Sequence, residues 1–277
     1  MKKSLFISVL SLFVFSIVFT SCSKDEAGDI ETNNSTDLVF VEESKQVSQA
    51  EATSDGVVNM LETAYAEIEE NAGRSNSLFP DCVTITISSE NGVTFVTLDF
   101  GFGCTLQNGA VVSGIVNITY GPIQNGTRTI TYTLENFTWN DIDVGGGATI
   151  FRELNNANGN PQSTVHVDLQ LSFPGGLVLQ KDGTRVREWI EGFHSGSWLD
   201  NVWLVTGNRE VVSNTGYTHY GIVTEALRRE ATCPYFVSGI IEITRNGNQG
   251  TLDFGNGDCD NIAILTVNGV EYTIYLD

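Results

Sequence analysis

Thr164-Val165-His166-Val167-Asp168-Leu169-Gln170-Leu171 carries an apolar residue at every odd position and a polar one at every even position. That period of two marks a strand with one face in a core and the other in water. Thr129-Ile130-Thr131-Tyr132-Thr133-Leu134 repeats it, and similar runs continue toward the end of the chain. Between the runs stand Asn91-Gly92, Asn108-Gly109, Asn125-Gly126, Asn158-Gly159, Asp182-Gly183, Asn246-Gly247 and Asn268-Gly269, the pairs that suit tight turns. The last of these lies between Leu265-Thr266-Val267 and Val270-Glu271-Tyr272 and is the strongest hairpin signal. The expected fold is all-β, an antiparallel meander forming a curved sheet, an open barrel or a sandwich. Residues 128–144 and 184–194 are long for single strands. They either bend through bulges, as in an open barrel, or break at corners, as in a sandwich, and periodicity does not choose.

One N-terminal helix is expected to precede the sheet, over residues 55–72. Val57, Leu61, Ala64, Tyr65 and Ile68 fall at helical spacing behind Asp55 as N-cap, and Gly73 stands where a C-cap would. Residues 22–52 are rich in Ser, Thr, Asn, Asp and Glu, with only Leu38-Val39-Phe40-Val41 breaking the polarity, and read as a tether. Residues 53–277 then form a single β domain. With 277 residues, 41% of them apolar and 17% charged, the chain can bury a sizeable core. Its 14 Lys and Arg against 34 Asp and Glu give a net charge of −20, which argues against a nucleic-acid partner and against a polybasic membrane surface.

Thr97-Leu98-Asp99-Phe100-Gly101-Phe102-Gly103-Cys104 returns as Thr251-Leu252-Asp253-Phe254-Gly255-Asn256-Gly257-Asp258-Cys259. Each copy follows an earlier cysteine, Cys82 or Cys233, and each cysteine pair brackets a hairpin. Four cysteines allow three pairings, and the repeat favours Cys82–Cys104 with Cys233–Cys259. In each Asp-Phe-Gly segment the Asp is expected to accept backbone N–H groups in a glycine turn. A second echo links Val112-Ser113-Gly114-Ile115 with Val237-Ser238-Gly239-Ile240, but its order relative to Asp-Phe-Gly is reversed in the second half. Similar strand environments near both ends of one fold explain this better than tandem duplication does.

Met1-Lys2-Lys3 followed by an apolar run over 5–19 has the layout of an export signal, and the run is short of the ~20 residues that a spanning helix needs. Phe19-Thr20-Ser21-Cys22 resembles a bacterial lipobox. The resemblance implies a signal peptide over 1–21, cleavage before Cys22, a diacylglycerol thioether on its sulfur and an acylated (palmitate-type) amino terminus. Ser23 resembles the sorting signal for the outer membrane of Gram-negative cells, and Ser23-Lys24-Asp25-Glu26 resembles the charged tract that directs some lipoproteins to the cell surface. Loss of 1–21 removes two lysines and no acid, so attachment to a membrane falls to lipid rather than charge. Anchor cysteine, polar tether, Cys-bracketed Asp-Phe-Gly-x-Gly and Thr-rich β domain together resemble a group of uncharacterised outer-membrane lipoproteins, which implies location and fold but no catalytic residues.

Asp99-Phe100-Gly101 lacks every other kinase element. His166, His194 and His219 are too scattered for a zinc site, and Gly192-Phe193-His194-Ser195-Gly196 is not a nucleophile elbow, so His194 with Ser195 is only an outside candidate for hydrolysis. Asp253, Asp258 and Asp260 offer oxygen ligands for calcium without EF-hand spacing, and a hydrated turn is the simpler reading. Alternation would align Phe137, Trp139, Asp141 and Asp143 on one strand face, and Arg185, Arg187, Trp189 and Glu191 on another. Rings beside carboxylates and guanidinium groups suit sugar stacking, while burial of Trp139 and Trp189 in the core is the plainer alternative. Asp141 with Asp143 is not a usual glycosidase pair, since such acids flank the scissile bond. The first expectation is a non-enzymatic surface module binding a glycan, peptide or protein partner. A polymer hydrolase and a periplasm-facing structural or lipid-carrying lipoprotein are the alternatives.

Overall fold

A computed structural model describes residues 27–70 and 77–276, except 194, 196 and 198. The expected signal peptide and Cys22 lie outside the described residues, as does Gly73. By contacts the chain divides into Met1–Thr36, of which 27–36 are described as the start of a helix, and a compact unit, Asp37–Asp277. No helix among the described residues is long and apolar enough to cross a membrane.

The compact unit is one antiparallel sheet around a helix. The helix, α1, spans Ala27–Tyr65 and ends in a π-type turn, Ala66–Glu70. Fourteen strands follow: β1 Thr84–Glu90, β2 Val93–Asp99, β3 Cys104–Thr105, β4 Val111–Tyr120, β5 Thr127–Trp139, β6 Ile142–Glu153, β7 Gln162–Ser172, β8 Val178–Glu191, β9 Val202–Ser213, β10 Thr218–Glu230, β11 Phe236–Arg245, β12 Asn248–Asn256, β13 Ile262–Val267 and β14 Val270–Tyr275. Each pairs with the next in an unbroken meander, save that β2 pairs with β4 and β3 with β4 alone. A single sheet rules out the sandwich. β1 and β14 end the meander without pairing to one another, so the sheet is open. Register shifts in β4, β5, β8, β10, β11 and β12 let the long strands bend.

The helix departs from expectation at its start. It starts before residue 55, and much of the supposed tether is packed: Asp37, Phe40, Ser44, Val47, Ser48, Ala50 and Glu51 are all buried. Asp55 is no N-cap but lies mid-helix. The acids that read as solvated chain are met instead by later side chains, Asp37 by Asn268, Glu43 by Arg245 and Glu51 by Lys181, Arg185 and Arg209, which local composition cannot reveal. Small residues, Ala50, Ser54, Gly56 and Ala64, keep α1 thin enough for strands to approach on several sides. Val57, Leu61, Ala64 and Tyr65 pack with β2 to β7, and Phe40 packs with Trp203, Leu227, Ile241 and Leu265 on the later strands.

Turn chemistry fits most of the expected pairs. Asn91, Asn246 and Asn268 have φ of 52°, 45° and 52°, and the glycines after them 79°, 88° and 78°, the doubly positive pattern of hairpin turns. Asp182-Gly183 is the exception: it lies inside β8, facing Arg209 across the ladder, and is not a turn. A Cβ on Gly183 would stand 2.6 Å from the Asn208 carbonyl oxygen, so close strand approach is what requires this glycine.

Both expected disulfides form, Cys82–Cys104 and Cys233–Cys259. Asp99 and Asp253 each accept the N–H of the glycine two residues on, at 2.8 Å. The reversed echo has a simple cause. Asp99 pairs with Ile115 and Asp253 with Ile240, the same register in both copies, but the first pair of strands is joined through the Cys104 loop and the second through Asn246-Gly247. An antiparallel pair can be joined at either end.

Candidate functional site

Gln49, Ala52, Thr53, Gly56, Asn59, Met60 and Thr63 follow one another at helical spacing and form one stripe on α1, about 21 Å long at 1.5 Å per residue. Two adjoining openings lie over it. The larger, about 540 Å³, is floored by Gln49 to Gly56 and walled by Trp139, Asn140, Phe173, Pro174, Pro234 and Tyr235. The smaller, about 220 Å³, continues over Asn59 to Thr63, with Leu78, Phe79, Leu106 and Leu199 around it. Gly56 and Asn108 line both. The larger volume is that of a small-ligand cleft, and its lining combines ring faces with the amides of Gln49, Asn108 and Asn140. Trp139 packs so closely on the helix that a Cβ on Gly56 would fall 2.4 Å from its ring.

Beneath the cleft runs a buried ionic layer. The Glu51 carboxylate accepts from Arg185 Nη2 at 2.7 Å and pairs with Arg209 Nε at 2.8 Å and Lys181 Nζ at 3.3 Å. Asp55 is shared by Arg187 and, at 2.8 Å, by Arg229 Nε; Glu62 stands 3.7 Å from Arg187. Arg229 also donates to the Tyr235 carbonyl at 3.1 Å, which ties the cleft wall to the layer. Nearer the start of the compact unit, Glu43 holds Arg245 and stands 3.5 Å from His219 Nε2. Burial alone would push the Glu51 carboxyl up, yet Arg185, Lys181 and Arg209 hold it well below the usual carboxylate range. Burial lowers Lys181 to about 8, with Glu51 opposing, and lowers His219 to about 4, helped by Arg209 and opposed by Glu43. His219 is therefore neutral at pH 7.

Arg209 enters this layer because its ladder partners on both sides are Gly183 and Gly221. A Cβ on Gly221 would meet the Arg209 guanidinium carbon at 3.1 Å. The outside of the sheet is the electrical opposite of its inside. Among the described residues no Lys or Arg is exposed, whereas Asp143, Asp168, Asp182, Glu210, Glu225 and Glu242 all are.

The aromatic and acidic set expected from alternation does not form a surface site. Asn140 and Asp141, at φ 49° and 64°, make an unforeseen hairpin turn, so Asp141 and Asp143 do not share a strand with Phe137 and Trp139. Phe137 and Trp139 point inward and are buried, while Asp141 and Asp143 are exposed. Arg185, Arg187 and Trp189 do share a face, but it is the inner one; Glu191, past a bulge, is exposed. Trp189 packs on Trp203 and Phe193 and donates from Nε1 to the Glu191 carbonyl at 2.6 Å. Of the set, only Trp139 lines the cleft. His194 lies outside the described residues, and Ser195 donates to Asp200 at 2.9 Å. Asp253 and Asp260 each accept a nearby backbone N–H, and among the described residues no three His, Cys, Asp or Glu are grouped to hold a metal.

The signal for the ionic layer was present but ambiguous. Lys181, Arg185 and Arg187 share one strand face, and Glu51, Asp55 and Glu62 share one helix face, yet nothing local states that the two meet. Tyr235, Gln49, Thr53 and Asn108 carry no pattern at all; chain path alone assembles them. Compared with protein-family models, characterised proteins and solved structures, the chain matches none.

Proposed function

We propose that this chain is an outer-membrane lipoprotein, anchored through acylated Cys22 and displayed at the cell surface, whose β domain binds a glycan or peptide segment without acting on it. The cleft over α1 carries this reading. Rings at Trp139, Phe173 and Tyr235 offer flat apolar contact, and the amides around them offer hydrogen bonds, a combination that holds sugars and extended peptides alike. The lack of exposed bases among the described residues supports lipid anchorage, since anionic membrane surfaces repel such an exterior. A lipid-carrying role would want an open apolar concavity, and here α1 fills the inner face of the sheet with charged as well as apolar contacts.

Thermal-shift screening of the purified protein against oligosaccharide fragments and peptides tests the binding. A ligand at 100 times its Kd adds about 2.7 kcal/mol. The expected shift is lost in Tyr235→Ala; a flat response across both panels refutes the reading. Incorporation of labelled palmitate, abolished by Cys22→Ala, tests the anchor separately.

A further inference from the structure

Between α1 and the strands lies a small cavity of about 20 Å³, bounded by Lys181, Arg185 and Arg187, by the carboxylates of Glu51 and Asp55, and by Ser54 among others. It has room for one occupant of about the size of a water molecule. Its polar walls are unbalanced. The layer around it holds five bases, Lys181, Arg185, Arg187, Arg209 and Arg229, against three carboxylates, Glu51, Asp55 and Glu62. Apart from Asp55, these eight side chains are less than a tenth exposed. Among the lining residues the donors Arg185 Nη1, Arg187 Nε and Arg187 Nη2 are buried without a hydrogen-bond acceptor, against one acceptor, Glu51 Oε2, without a hydrogen-bond donor. Each base has a carboxylate partner but the layer as a whole keeps a surplus of positive charge, and buried surplus charge and unmet buried N–H groups are each costly; both are relieved by one acceptor that carries negative charge.

We propose that this cavity is a structural site for a single small monovalent inorganic anion, chloride in the cell, held by Lys181, Arg185 and Arg187. A water molecule would satisfy the donors but leave the charge surplus untouched. Sulfate, phosphate and carboxylates are too large for the space. The walls are buried, so the ion enters as the sheet closes on α1 and leaves on unfolding.

Linkage makes the site measurable. An anion bound by the folded chain alone raises the folded-to-unfolded ratio tenfold for each tenfold rise in chloride above its Kd. Urea unfolding of the purified protein, with chloride exchanged for gluconate at constant ionic strength, should show that slope. Arg185→Gln and Lys181→Met should flatten it. Crystals grown in bromide should give an anomalous peak between Lys181, Arg185 and Arg187, a reading independent of whether the variants fold. Equal stability in chloride and gluconate, or bromide-grown crystals with no peak in the cavity, would overturn the proposal and leave water as the occupant.

Discussion

Replacing Glu51 by Gln keeps the shape of the side chain and removes the one carboxylate that faces Lys181, Arg185 and Arg209 together. These side chains are between 1% and 9% exposed, so solvent cannot take over the lost charge. Breaking a buried pair by deleting one partner typically costs 3–5 kcal/mol. Three cations lose compensation here, while the Gln oxygen still accepts from one of them, so we expect a loss of about 4 kcal/mol. That is a large part of the ~5–15 kcal/mol a folded chain usually holds, and corresponds to about 10 °C in Tm. Urea unfolding followed by tryptophan fluorescence, with disulfides intact, should show a lower midpoint at an unchanged slope. The dependence on pH carries a second check. The folded Glu51 carboxyl lies below its unfolded value of 4.5, so its contribution is complete above about pH 4.5 and is lost as pH falls further. The gap between wild type and Glu51→Gln should hold from pH 7 to 5 and narrow below. Adding Lys181→Met should recover part of the loss, since it removes a cation left without its partner. A gap of less than about 1 kcal/mol at pH 7, or one that does not narrow in acid, would refute the reasoning.

Other consequences follow from named contacts. His219 is lowered from 6.5 to about 4, so the unfolded chain takes up a proton that the folded chain refuses between these values. Stability should fall by roughly 3 kcal/mol as pH drops from 6.5 to 4, and His219→Phe should remove that component of a pH-resolved melt. Gly56→Ala would stabilise an ordinary helix interior by about 1 kcal/mol, but here the methyl meets the Trp139 ring, so a net loss of stability and altered tryptophan fluorescence are expected. Gly183→Ala should cost about 2 kcal/mol in urea unfolding, because the obstacle is backbone that cannot swing aside. Removing the Cys82–Cys104 link, 22 residues apart, should cost about 3 kcal/mol in the chain-entropy account, and an unchanged midpoint would show the loop to be held by other contacts.

Period two along 129–134 and 164–171, the Asn-Gly turns and the duplicated Asp-Phe-Gly segment were sufficient to read an antiparallel meander and both disulfides. These features are local: a strand face, a two-residue turn and a short loop depend on residues adjacent in the chain. The extent of α1 was not legible, because Glu51 is tolerated in the interior only by virtue of Lys181, Arg185 and Arg209, on strands more than a hundred residues away. The long run 128–144 hid a turn at Asn140-Asp141, which lacks the usual glycine. Asp182-Gly183 looked like a turn, but its glycine serves the approach of β9. Only the folded chain decides these points, since burial of charge is settled by the partner across the core and not by the residue itself. The same holds for the cleft, whose walls come from loops that meet only when the sheet curls around the helix.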